Sequence, residues 1–102
     1  MKIPNNSYDI CQLADYIFCH NRTAWDLCVM QGRRNSPYEE IKAAFLKAVD
    51  EKIEYLTELR NGVARDIETE TDKRRKDDLK YYLDHINDTI NYLTNREEEE
   101  PC

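Results

Sequence analysis

The side chains in this chain best placed to do chemistry are a line of carboxylates and a row of aromatic rings, and the chemistry both suggest is recognition. Asp50, Glu54 and Glu58 follow one another at i,i+4 spacing, with Glu51 beside them. On a helix that spacing stacks them on one face, where like charges cost a few tenths of a kcal/mol per pair. Lys47 and Arg65 relieve only part of the repulsion. Such a ridge suits a basic protein partner, or imitates a line of nucleic-acid phosphates. Tyr81, His85, Asp88 and Tyr92 recur at steps of four, three and four and form a second helical face. Tyrosine rings bury area while their hydroxyls tolerate water, which suits a protein interface. The same row would also serve to pack this helix against another in a small bundle.

Catalytic and metal-binding arrangements are weaker. His20 and His85 lie far apart in sequence, and Gly32 and Gly62 are isolated, so no glycine-rich phosphate loop can form. Glu51-Lys52-Ile53-Glu54 has the Glu-x-x-Glu spacing with which some helical enzymes begin a magnesium site, but the Glu-x-x-Asp that completes it does not follow. Lys52 and Arg60 border the apolar stripe of their helix, where long basic side chains commonly snorkel. Cys19 and His20 are adjacent, hence about 100° apart on a helix, and no second ligand pair at useful spacing accompanies them. The expectation is a protein that is not an enzyme, with no catalytic residue, cofactor or metal ligand.

Charge narrows the partner class. The net charge is −6, distributed as +1 over residues 1–36, −2 over 37–67 and −5 over 68–102. An acidic chain argues against general nucleic-acid binding, which needs a basic face. The exceptions are the clusters Arg33-Arg34 and Lys73-Arg74-Arg75-Lys76, the second hemmed by Asp72, Asp77 and Asp78. No apolar run approaches the roughly 18 residues of a membrane span, and Met1–Asn6 lacks the apolar core of a signal peptide. This predicts a cytoplasmic chain with reduced thiols. Cys11, Cys19 and Cys28 fall within one predicted helix, whose rigid backbone would keep them from bridging one another.

The elements that must position these groups are helical. Only two glycines and three prolines occur in 102 residues, too few turns for a fold of hairpins. Asn6 or Ser7 opens a first helix, with Asp9 favourably placed in its first turn. Ile10, Leu13, Ala14, Ile17, Ala24 and Cys28 give it one stripe, flanked by Phe18 and Trp25 on one side and Tyr16 and Leu27 on the other. It runs to about Gln31 and ends at Gly32, which can take a left-handed conformation. Asn21 interrupts the stripe: either the helix breaks at residues 20–23, with Asn21 or Thr23 as a cap, or a buried polar residue sets register. Ser36-Pro37-Tyr38-Glu39 carries the signature of a capped helix start. From there Ile41, Phe45, Val49, Ile53, Leu56, Leu59, Val63 and Ile67 keep helical phase straight through Asn61-Gly62. This favours one helix to about residue 68 and a turn at Glu68–Asp72, with Thr69 or Thr71 capping the next helix; the alternative is a turn at Asn61-Gly62. Leu79, Tyr82, Leu83, Ile86, Ile90 and Leu93 form the last stripe.

The sequence thus predicts an all-α, three-helix bundle, in which a long hairpin over about 37–95 packs against an N-terminal helix over about 7–31. Residues 1–96 form a single domain and 97–102 an acidic flexible tail. The expected function is that of a small acidic protein-binding factor: a regulator, inhibitor or adaptor of the kind found among phage and plasmid accessory proteins. Its binding residues are Asp50, Glu51, Glu54, Glu58, Tyr81, His85 and Tyr92. A homodimer through exposed Val63 and Ile67 is a further expectation. The alternatives are a nucleic-acid-associated protein using the two basic clusters and, behind it, a small all-α enzyme.

Overall fold

The computed structural model describes residues 1–19, 21–32 and 37–98. Four helices carry the described chain: α1 (Ser7–Phe18), α2 (Arg22–Gly32), α3 (Tyr38–Thr69) and α4 (Lys73–Thr94). The all-α class follows directly. Two-residue strands, β1 (Lys2–Ile3) and β2 (Glu97–Glu98), pair in parallel, so Glu97 and Glu98 belong to a strand where a solvated tail was expected. The chain divides into two compact units. One holds Lys2–Asp50 with the chain from Arg96 on; the other holds Glu51–Asn95 with Met1.

In the first unit, the single N-terminal helix expected over about 7–31 is two helices. Asn6 caps α1, its Oδ1 accepting from the Asp9 amide at 2.9 Å while its Nδ2 donates to the Asp9 carboxylate. Phe18 ends the helix, and Cys19 takes the left-handed conformation at φ 51° and ψ 49°. Asn21 then starts α2, its Oδ1 accepting from the Ala24 amide at 3.2 Å. It is an exposed cap, which is the state in which an asparagine helps a helix most, and not a buried register residue. Gly32 was expected to be left-handed, yet Cys19 is the positive-φ residue among those described.

That break decides the cysteines. In one unbroken helix Cys11 and Cys28 would lie about 25 Å apart. With α2 packed on α1, their Cα atoms are 5.4 Å apart and a disulfide joins them. This corrects the expectation that these cysteines cannot bridge, and with it the expectation of uniformly reduced thiols. Cys19 is an exposed free thiol.

In the same unit, Ile10, Ala14 and Ile17 of α1, Ala24 and Leu27 of α2, and Ile41, Phe45 and Val49 of α3 are buried. Phe45, Ile10, Ile41 and Val49 are the largest fully enclosed side chains of this unit, each contributing about 1.5–3 kcal/mol by leaving water. The Tyr38 hydroxyl donates to the Pro4 carbonyl at 2.6 Å, fastening the start of α3. Pro37 serves as that start, its carbonyl accepting from the Glu40 and Ile41 amides; Ser36, the expected cap, lies outside the described residues. Trp25 and Tyr16, expected to flank a buried stripe, are exposed at 69% and 76%. The register of α2 is set by its own cap and not by α1, so Leu27 turns inward and Trp25 outward.

In the second unit, α3 continues unbroken through Asn61-Gly62 and turns only after Thr69. Thr69 does not cap the next helix. Its hydroxyl donates back to the Arg65 and Asp66 carbonyls at 3.4 and 3.2 Å, while Asp72 caps α4 by accepting from the Arg74 amide at 2.9 Å. A carboxylate also matches the positive end of the helix dipole, which a threonine hydroxyl does not. Val63, Ile86 and Leu93 are buried, and Leu56, Leu59, Ile67, Leu79, Leu83 and Ile90 half-buried. Tyr82, expected within the α4 stripe, points outward at 44% exposure. The Met1 ammonium donates to the carbonyls of Tyr92 and Asn95, where the negative end of α4 favours a cation.

Candidate functional site

Helix α4 carries the aromatic row singled out from the sequence. Its 22 residues complete six turns, and one turn per 3.6 residues places Tyr81, His85, Asp88 and Tyr92 within about 60° of one another. The buried Ile86 and Leu93 lie about 100–120° away from that row, and the half-buried Leu79, Leu83 and Ile90 further round still. The rings therefore face solvent: Tyr81 is 81% exposed and Tyr92 43%, with His85 and Asp88 also exposed.

The same period brings Asp77, Asp78 and Asp84, all exposed, to the borders of the row. With Asp88 inside it, four carboxylates surround two phenols and an imidazole. Ring faces and carboxylates together suit one kind of ligand group, the guanidinium or ammonium of a basic side chain.

The acidic ridge on α3 is less unified than its spacing suggests. Asp50, Glu51, Glu54 and Glu58 are all exposed, as expected. Asp50, however, belongs to the first unit and accepts from the Arg96 guanidinium there, while the other three lie in the second. Arg96 thus neutralises one end of the line and eases the repulsion that singled it out. Val63, proposed from sequence as an exposed contact for a second copy, is only 6% exposed, and Ile67 is half-buried.

No protein-family model matches this chain, and neither a characterised protein nor a solved structure is similar to it. Its own geometry must carry the functional assignment.

The basic clusters fare differently. Lys73, Arg74 and Arg75 are exposed in the first turn of α4, where the helix dipole disfavours cations, and Arg75 lies 3.9 Å from Glu70. Beside them a concavity of about 490 Å³ is walled by Asp66, Thr69, Glu70, Arg75, Asp78, Leu79 and Tyr82. Three acids against one base make it a poor seat for a phosphate. Arg33, Arg34 and His20 lie outside the described residues. No described helix is long and apolar enough to cross a membrane.

The sequence missed two features. Trp25 and Val29, i,i+4 neighbours on α2, are exposed at 69% and 39%. The signal was Asn21: taken as the cap of a second segment, one of the two readings the sequence left open, it restarts the helical phase and sends Trp25 outward. The second feature, the approach of Cys11 to Cys28, follows from the same residue.

Proposed function

We propose that this protein is a small acidic helical binding factor, and that it takes a basic segment of a protein partner on the face of α4 formed by Tyr81, His85 and Tyr92. The observation that carries the reading is the exposure of this aromatic row within a border of aspartates. Scattered exposed tyrosines need no explanation. Two within about 60° on one helix, with a histidine between them and four carboxylates around them, combine ring faces for cationic side chains with counter-charges for the same groups. Tyrosine also holds such a surface at low entropic cost, having few rotatable bonds. The role is regulation, inhibition or bridging through binding and not catalysis. Glu51, Glu54 and Glu58 form a second, electrostatic surface that can steer a basic partner without holding it.

The test begins with capture of partners by the full-length protein from its native host, with protein and nucleic-acid fractions both identified, followed by affinity measurement on the captured partner. Tyr81→Ala with Tyr92→Ala is expected to weaken binding by about 30-fold or more, the effect of losing about 2 kcal/mol at an interface centre. Glu51, Glu54 and Glu58 changed together to lysine are expected to cost less and to act through the association rate. Should both sets leave capture intact while circular dichroism shows unchanged helix, the assignment fails. Capture of nucleic acid alone, lost on neutralising Lys73 to Lys76, would move the function to the basic cluster.

A further inference from the structure

We propose that, once the Cys11–Cys28 disulfide is reduced, Cys11, Cys28 and Asp15 form a binding site for a thiophilic divalent cation of the zinc class. Cys11 and Asp15 stand one turn apart on the same side of α1, and Cys28 meets them from α2. The two sulfurs and a carboxylate oxygen all lie within 4.8 Å of one another. A tetrahedral zinc with Zn–S near 2.3 Å and Zn–O near 2.1 Å requires about 3.8 Å between sulfurs and about 3.6 Å from sulfur to oxygen. The carboxylate oxygen, within 4.8 Å of both sulfurs, is in reach of that arrangement by a small side-chain rotation. The sulfurs must part and the carboxylate close in slightly, and a Cα separation of 5.4 Å leaves room for side-chain rotation to do so.

The surroundings match the chemistry. Cys11 is buried, while Asp15 and Cys28 are half-buried, so the ligands are largely out of bulk water but still open to an arriving ion. Two thiolates select zinc-class cations over magnesium or calcium, which prefer oxygen alone. Three protein ligands leave the fourth position to water. The two states exclude each other, because the sulfurs that bind the ion are those that form the disulfide. A phosphine reductant opens the bond: the disulfide gains two electrons and two protons to become two thiols, and the phosphine becomes its oxide with oxygen from water. Binding then replaces the two thiol protons with the cation, releasing both to solvent.

Cobalt(II) is the probe. The full chain, reduced with a phosphine and held without oxygen, is titrated with cobalt while absorbance and proton release are followed. One cobalt per chain is expected, with the visible bands of a tetrahedral ion, thiolate-to-cobalt charge transfer in the near ultraviolet, and two protons released; zinc should bleach the colour. The oxidised chain should stay colourless, and Cys19→Ser should change nothing. Asp15→Asn should weaken binding by roughly 10- to 100-fold while the thiolate band persists. This variant keeps both thiols, so it remains informative even if Cys11→Ser or Cys28→Ser does not fold. Absence of the thiolate band at millimolar cobalt, an Asp15→Asn affinity equal to wild type, or loss of the band in Cys19→Ser would each overturn the site.

Discussion

Reduction of Cys11–Cys28 should cost the first unit about 3 kcal/mol. The two residues are 17 apart in sequence, and releasing a loop of that length restores to the unfolded chain an entropy worth roughly 3.1 kcal/mol at 25 °C. For a chain of this size that shift lowers the melting temperature by roughly 12–25 °C. Chemical reduction is the preferred perturbation because it leaves both sulfurs in place, whereas serine at the buried Cys11 would also disturb packing. Trp25 is the sole tryptophan and lies on α2 inside the cross-linked loop, so its fluorescence follows this region. Urea unfolding is read at Trp25 with and without a phosphine reductant, with a chelator present so that no cation substitutes for the lost bond. Cys19→Ser should behave as wild type in both conditions. Curves that differ by less than about 0.5 kcal/mol would refute the loop argument, as would an equal response in a Cys11→Ser/Cys28→Ser double variant, which has no bond to lose.

Gly62→Ala should stabilise the protein by about 0.5–1 kcal/mol, seen as a higher urea midpoint at unchanged slope, because the glycine is helical and a methyl group there meets nothing within 4 Å. A loss of stability would instead support the hairpin turn at Asn61-Gly62, where only glycine tolerates the backbone. Cys19→Gly should raise the thermal midpoint modestly: relief of a left-handed side-chain penalty of about 1 kcal/mol outweighs the added freedom of the unfolded chain. A clear decrease would mean that Cys19 is not the joint between α1 and α2.

Much of the fold is written in periodicity. The stripe from Ile41 to Ile67 shows one uninterrupted helix because its phase survives Asn61-Gly62, and a single glycine costs too little to stop a helix of 32 residues. The charged stretch from Glu68 to Asp78 marks the turn just as plainly. What periodicity could not show was the break at Cys19–Asn21. Ala24 and Cys28 continue the α1 stripe closely enough that a helix restarted after a short joint looks like the same helix. From that ambiguity came the misplaced Trp25 and the cysteines judged unable to meet. Capping was legible at Asn6, one of two adjacent candidates, and misjudged at α4, where Thr69 or Thr71 was expected and Asp72 caps. The candidate site divides in the same way. Spacing alone puts Tyr81, His85 and Tyr92 on one face. Whether that face meets water or another helix is a tertiary question, answered only by which side of α4 buries Ile86 and Leu93.

Exposure of the row has a kinetic consequence that separates its two ingredients. Carboxylates act at long range: under the proposed function, Asp77, Asp78, Asp84 and Asp88 would raise the rate of encounter with a basic partner, an effect that salt screens over a Debye length of about 8 Å at physiological ionic strength. Rings act only on contact, by burying area and stacking on cationic groups, so Tyr81 and Tyr92 would govern how long such a complex lasts. Raising salt should therefore slow association of the wild type and leave dissociation nearly unchanged. Tyr81→Ala with Tyr92→Ala should do the reverse, speeding dissociation by about 30-fold for a loss near 2 kcal/mol while the salt dependence of association persists. Surface plasmon resonance on the captured partner reads both rates. A tyrosine variant that alters only association would show the rings to be bystanders and the surface to be purely electrostatic, and the weight of the assignment would then pass to Glu51, Glu54 and Glu58.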